Sequence, residues 1–163
     1  MLFGGEPLLE LPIPGREPLR VSHLVLDYNG TLALDGNLLP GVSDRLTALA
    51  GRVGVHVVTA DTFGLAAVQL GSLPVTLQII GAGDQAKAKL DLVESLGPAG
   101  VVAIGNGAND RLMLERAALG ICIVGAEGAA TATLLASDVA VRGPTEAFDL
   151  LLHPGRLAAT LRI

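Results

Sequence analysis

The sequence predicts an α/β fold, a parallel β-sheet covered by helices on both faces, from three observations. Short β-branched runs alternate along the chain with longer Ala- and Leu-rich segments of roughly helical spacing. Most of the β-branched runs are continuously apolar, the pattern of strands buried on both sides rather than of strands with one wet face. Repeated strand-helix-strand order closes into a sheet of parallel strands through right-handed crossovers, with a helical layer on each side.

The elements follow in order. Pro7, Pro12, Pro14 and Pro18, with Gly4, Gly5 and Gly15, predict extended segments joined by a turn at Pro14-Gly15, an N-terminal hairpin or arm over residues 1–20. Strands are expected at 21–26, 53–58, 75–80, 101–104, 121–124 and 139–141, where β-branched residues cluster. Helices are expected between them at 43–50, 62–70, 84–96, 110–118, 128–136 and 145–152. Asp61 and Asp110 stand where N-caps belong for the helices at 62 and 110, and His153 before Pro154-Gly155 marks a helix terminus. With no repeat, charge block or low-complexity linker, residues 1–163 are expected to form a single core domain.

Composition excludes several classes of function. Half the residues are apolar, 17% are charged and the mean hydropathy is +0.56, far too much apolar surface for a disordered chain. Four aromatics, Phe3, Tyr28, Phe63 and Phe148, cannot build a base-stacking platform, and a formal charge of −5 offers no footprint for a polyanion. No nucleic-acid partner is expected. The longest uncharged stretch, residues 62–83, carries Gln69, Ser72, Pro74 and Gln78, which suits a helix, a turn and a strand rather than a membrane span. The first cation is Arg16, so no signal peptide is expected, and the single Cys122 allows no disulfide within the chain, which suits a reducing cytoplasm. Cys122, His23 and His56 read as packed or edge residues rather than ligands.

In parallel sheets, ligands bind beyond the carboxyl ends of the strands. There the sequence supplies Asp27-Tyr28-Asn29-Gly30-Thr31-Leu32, then Thr59-Ala60-Asp61, then Gly105-Asn106-Gly107-Ala108-Asn109-Asp110, with Lys87 and Lys89 on the helix between. Carboxylates, a backbone carbonyl, a hydroxyl and an ammonium brought to one edge suit Mg²⁺ and phosphoryl oxygens. Asp61 caps a helix in this reading, with substrate contact left open.

These motifs, in this order, resemble those of the haloacid dehalogenase superfamily of phosphohydrolases, and GNGANDRLMLERAALGICIVGAEGAA is similar to the corresponding stretch of P-type ATPases. The likeness is to the short, uncapped proteins related to the phosphorylation domain of those ATPases. It implies a three-layer Rossmann-like core in which Asp27 is the nucleophile that becomes an aspartyl phosphate. It further implies that the Asn29 carbonyl, Asp27, Asn106 and Asp110 hold Mg²⁺ directly or through water, and that Thr59 and a lysine hold the phosphoryl oxygens. Lys89 is preferred, because Lys-Leu-Asp-Leu-Val-Glu-Ser-Leu-Gly resembles the usual run into the fourth strand, with Lys87 as the alternative. Residues 28–58 and 60–88 are taken up by core elements and leave no room for a cap domain. The open site would admit a phosphorylated small molecule or a phosphoanhydride unless a neighbouring subunit covers it, and the apolar content is compatible with a homo-oligomer.

Two residues depart from the family pattern. Asn29 stands where family phosphatases have an acid that protonates the leaving group, a role commonly worth ~10²- to 10⁴-fold in rate. Its absence favours ATP-like or acyl phosphates, whose departing oxygen is already a stable anion, over sugar phosphates. Asn106 replaces an Asp and removes one negative charge from the metal site, which weakens a hard cation's binding. A slow Mg²⁺-dependent phosphohydrolase is therefore one expectation. The other is a catalytically impaired domain that binds a phosphorylated ligand or a protein.

Overall fold

The computed structural model describes residues 8–61 and 64–163. The first seven residues of the expected arm, and the first two of the helix expected from residue 62, lie outside that description. In chain order the strands are β1 (Leu9–Leu11), β2 (Leu19–Val21), β3 (His23–Asp27), β4 (Ala33–Leu34), β5 (Asn37–Leu38), β6 (Gly54–Thr59), β7 (Thr76–Ile79), β8 (Val101–Gly105), β9 (Leu119–Ile123) and β10 (Val139–Val141). The α-helices are α1 (Val42–Ala50), α2 (Leu65–Leu70), α3 (Gln85–Leu96), α4 (Arg111–Arg116), α5 (Thr131–Ala136), α6 (Pro144–Leu152) and α7 (Pro154–Leu161).

Six strands form one parallel sheet in the order β10-β9-β8-β3-β6-β7. Period-two alternation divides its side chains between two cores. Leu24, Leu26, Val55, Val57, Val102, Ile104 and Ile121 pack with Leu46, Leu49, Leu70, Phe148, Leu151 and Leu157 of α1, α2, α6 and α7. On the opposite face Val25, Val58, Ala103 and Cys122 meet Val93 of α3 with Met113 and Leu114 of α4. This is the helix-sheet-helix sandwich expected of continuously apolar strands.

Several boundaries differ from expectation. The strand expected at 21–26 divides at Ser22: Leu19–Val21 turns back on Leu9–Leu11 as an antiparallel hairpin, and His23–Asp27 enters the main sheet. Pro14 and Gly15 lie in the turn of that hairpin, whose Leu9, Leu11, Leu19 and Val21 are buried in the larger core. The helix expected from Asp110 starts as a 3-10 turn over Ala108–Asp110 before α4 begins. Pro154 does not end the helical region: it occupies the first turn of α7, where a missing N–H costs nothing. The short β4–β5 hairpin, with Asp35 and Gly36 both at positive φ, is a two-residue turn of the kind Asp-Gly supports.

Among the described residues no helix is long and apolar enough to cross a membrane. Between β3 and β6 the chain makes only the β4–β5 hairpin and α1, so no cap domain is inserted there.

Candidate active site

Strand β3 lies in the middle of the sheet with β6 on one side and β8 on the other, so the chain reverses its lateral direction at this strand. Such a reversal opens a crevice at the carboxyl ends of the strands, and Asp27 is the last residue of β3. Thr59 ends β6 and Gly105 ends β8, which brings the stretches that begin at Asp27, Thr59 and Gly105 to one edge. A cavity of about 570 Å³ opens there, lined among others by Asp27, Asn29, Thr59, Lys89, Asn106 and Asn109.

Helix periodicity decides between the two lysines. Asp84 caps α3 by accepting from the Lys87 amide (3.0 Å), and Lys89 and Val93, one turn apart, face the sheet. Lys87 points to solvent, where it pairs with Asp91 at 2.6 Å. Lys89 is 1% exposed, and its Nζ donates to Asp27 Oδ1 (3.0 Å), Asp110 Oδ1 (2.7 Å) and Asn109 Oδ1 (3.4 Å). All three of its protons are therefore engaged.

The loop Gly105–Asp110 folds back on itself. Asp110 Oδ2 accepts from the amides of Asn106 and Gly107, each at 3.0 Å, and a Cβ on Gly105 would overlap the Asp110 carboxyl. Helix α5 holds the same loop from outside, with Thr133 Oγ1 donating to the Gly107 carbonyl (2.7 Å) and the Ala130 amide donating to that of Asn106 (2.9 Å). On the other side Gly30, at φ 77°, leaves space that Asn106 occupies. Asp110 is completely buried and is absent from the cavity wall, both of its oxygens being taken by Lys89 and the loop.

Two carboxylates thus share one buried ammonium at the wall of the cavity. Burial above all, and then the Asp110 charge, push the Asp27 carboxyl up to about 7, against the pull of Lys89. Burial works to lower the Lys89 ammonium, but Asp27 and Asp110 outweigh it and hold it raised.

The donor set can be tested against the expected Mg²⁺. The Thr31 hydroxyl lies 3.3 Å from Asp27 Oδ2 and 3.2 Å from Asn106 Oδ1, and its one proton cannot satisfy both. At least one of these oxygens keeps acceptor capacity beside the cavity that both residues line. A carboxylate, a carboxamide oxygen and the Asn29 carbonyl are hard donors, so the residues fit a hard divalent cation held with one anionic ligand. Asp110 could join only through water. Among the described residues there is no group of three or more His, Cys, Asp or Glu poised around a metal.

Several contributors were not singled out from sequence. Thr31 and Asn109 lie inside the motifs, whereas Gln85, whose Oε1 accepts from Asn109 Nδ2 (2.8 Å), and Thr133 carry no local signal. Asp61 is not the N-cap, a position Gly64 takes in front of α2, but its carboxylate accepts from the Ala66 amide in the first turn of that helix (3.1 Å) and also lines the cavity. Tyr28 ties the loop after β3 to the β4–β5 hairpin by donating from its hydroxyl to the Gly36 carbonyl (2.8 Å). His23 opens β3 and His56 lies in the first half of β6, with Nδ1 and Nε2 3.1 Å apart.

No family model matches the chain. The uncharacterized protein MJ0073 of Methanocaldococcus jannaschii is 46% identical over 84 residues, 49% of this chain and 90% of that protein. A phosphoserine phosphatase of Archaeoglobus fulgidus is 50% identical over 46 residues, of which the match spans 27% of this chain but only 13% of the enzyme. Among solved structures, a protein described as a HAD superfamily (subfamily III A) hydrolase of Legionella pneumophila superposes with a TM-score of 0.68 at 17% identity, covering 86% of this chain and 87% of that one. The 3-deoxy-D-manno-octulosonate 8-phosphate phosphatase of Moraxella catarrhalis, in complex with magnesium, phosphate and its sugar acid, gives 0.69 at 18% identity, covering 85% and 90%. The cobalt-bound Haemophilus influenzae enzyme of the same name gives 0.68 at 12%, covering 85% and 91%. These likenesses establish the haloacid dehalogenase Rossmann-like fold.

Proposed function

The chain belongs to the same family as the uncharacterized protein MJ0073, and we propose that it is a divalent-metal-dependent phosphohydrolase acting through an aspartyl phosphate on Asp27. The observation that carries this reading is the buried Asp27-Lys89-Asp110 cluster opening onto a cavity that Thr59 and Asn106 also line. The magnesium and cobalt of its structural neighbours support a divalent ion as cofactor, and Mg²⁺ is the ion we favour. Bound by Asp27, the Asn29 carbonyl and Asn106, it would neutralise phosphoryl charge and keep Asp27 ionised.

In this reading an Asp27 oxygen attacks phosphorus and the bond from phosphorus to the leaving oxygen breaks, so that the leaving group departs as an anion. Esterification removes the negative charge of Asp27, so Lys89 loses one of its two carboxylate partners and can turn that proton toward the phosphoryl oxygens beside the Thr59 hydroxyl. Water then attacks phosphorus, the bond to Asp27 breaks, and phosphate leaves with the carboxylate restored. With a carboxamide at 29, neither half-reaction has a proton shuttle there. Substrates with stable leaving anions, acyl phosphates or phosphoanhydrides, are therefore preferred, and the phosphoenzyme is slow to hydrolyse. P-type ATPases likewise lack an acid at this position, and we assign the chain to that uncapped type. The buried single thiol of Cys122 suits a cytoplasmic setting.

The test is mass spectrometry after incubation with acetyl phosphate or ATP and Mg²⁺. One added phosphoryl group mapping to Asp27, and absent from Asp27→Asn, is the expected result. Asn29 and Asn106 favour the second reading, a phospho-ligand-binding regulatory domain. Saturable phosphate binding with no phosphorylation of Asp27 and no turnover would select it.

A further inference from the structure

Three polar side chains run from the buried ammonium to the cavity wall, and the chemistry of the first fixes the orientation of the other two. Lys89 Nζ carries donors only, so the Asn109 carboxamide turns its Oδ1 toward it (3.4 Å). The Asn109 Nδ2 is then directed away from Lys89 and donates to Gln85 Oε1 (2.8 Å). Turning Asn109 over would set donor against donor at Lys89, and turning Gln85 over would do the same at Asn109. Gln85, its oxygen committed to Asn109, is left with the two hydrogens of Nε2, which have no acceptor among the described residues. Gln85 lines the cavity.

The helix sets where this donor stands. Gln85 opens α3, four residues before Lys89 and so on the same face, ~6 Å farther along the axis. Helix α3 lies in the crossover between the parallel strands β7 and β8 and runs against them, so its N-terminus is at the carboxyl edge of the sheet. Lys89 touches Asp27, and Gln85 stands one turn farther out from the strand ends.

We propose that Gln85 is a specificity-determining residue for phosphoryl transfer to Asp27, selecting donors whose leaving group carries a second oxygen beside the one that departs. The proposal rests on the phosphohydrolase reading above. Attack by Asp27 is in line, so the leaving group departs on the far side of phosphorus, away from β3 and toward Gln85. With an acyl phosphate, the bond from Asp27 to phosphorus forms and the bond from phosphorus to the acyl oxygen breaks. The electron pair leaves with a carboxylate whose charge is shared by both of its oxygens. Gln85 Nε2 donates to the carbonyl oxygen, and that hydrogen bond strengthens as the charge develops. No proton is transferred, which matches a site with a carboxamide at position 29. An aryl phosphate such as p-nitrophenyl phosphate also releases a stable anion, but it has no oxygen beside the departing one.

The quantity to measure, with Mg²⁺ present, is the ratio of kcat/KM on acetyl phosphate to kcat/KM on p-nitrophenyl phosphate. Gln85→Met removes the donor and should lower the ratio ~3- to 10-fold, the worth of one neutral hydrogen bond. Gln85→Glu separates recognition from support. Its carboxylate still accepts from Asn109, so a merely structural Gln85 would leave the ratio at its wild-type value, whereas loss of the donor lowers it as Gln85→Met does. The added negative charge acts on both phosphates alike and cancels in the ratio. Met and Glu are good helix formers, so both variants keep the first turn of α3. An unchanged ratio in Gln85→Glu overturns the proposal, and so does an equal loss on the two substrates in Gln85→Met. A wild-type chain that takes no phosphoryl group from either substrate overturns the phosphohydrolase reading, and this proposal with it.

Discussion

Asn29 is the residue whose chemistry most narrows what the site can do. Its carboxamide projects from an exposed position at the cavity wall and has no proton to give or take at neutral pH. Asn29→Asp is therefore expected to raise kcat on alkyl phosphates by about 10-fold or more while changing the rate on acetyl phosphate little, since only the poor leaving group needs the proton. Equal effects on both substrates would mean that residue 29 does not face the leaving group. The cavity wall adds a second discrimination. Asp35, Asp61 and Glu127 line it, and Lys89, already shared by two carboxylates, is the one cation among the described lining residues. An aryl phosphate bearing an ammonium group should show a kcat/KM about 3- to 10-fold above its carboxylate-bearing analogue at low salt, the gap closing as salt screens the rim. A ratio that ignores ionic strength would show that these acids do not steer the substrate.

At the scale of single elements, α3 and the loop after β8 deliver the charges to the site. Lys87 and Lys89 are two residues apart and so fall on different faces of the helix; one is solvated and the other is buried between two carboxylates. Lys87→Met should leave stability within about 0.5 kcal/mol of wild type. Lys89→Met removes the shared partner of a buried pair and should cost about 3–5 kcal/mol and abolish phosphorylation. Urea titration and the mass-spectrometric assay separate these outcomes. Gly105→Ala is a backbone test of the same site: its methyl meets the Asp110 carboxyl, and a loss of about 1–3 kcal/mol is expected with no change in charge. The helix periodicity was visible in the sequence, but with both lysines near the helix start the choice between them rested on likeness. The need for Gly105 was invisible there, because it arises from Asp110 folding back across four intervening residues. Helix α7 was missed because Pro154-Gly155 reads equally as a stop and as a first turn.

For the whole molecule, the buried cluster should appear in the pH dependence of stability. The Asp27 carboxyl goes from an ordinary 3.8 to about 7 on folding, so the folded state binds its proton more tightly than the unfolded chain. Its favourable contribution is complete below 3.8 and is lost as the pH rises through about 7. Asp27→Asn, which leaves Lys89 and Asp110 as a balanced pair, should therefore raise Tm relative to wild type by several degrees at about pH 8 and by distinctly less at about pH 5. An increment that is the same at both pH values would show that Asp27 is not held near neutrality by its burial and by Asp110.

The sequence by itself determined the class of fold, the order of its layers and the three strand ends that gather polar residues at one cavity, because periodicity and strand-end composition are local properties of the chain. Only the tertiary structure decided that Lys89 rather than Lys87 enters the site, that Asp110 is consumed by its own loop and by Lys89, and that Thr31, Gln85, Asn109 and Thr133 support the arrangement. It also placed β7 at the end of the strand order, beside β6. The reason is common to all of these. Burial, shared protons and strand neighbours are relations between residues far apart in the chain, and they have no value until the sheet has brought those residues together.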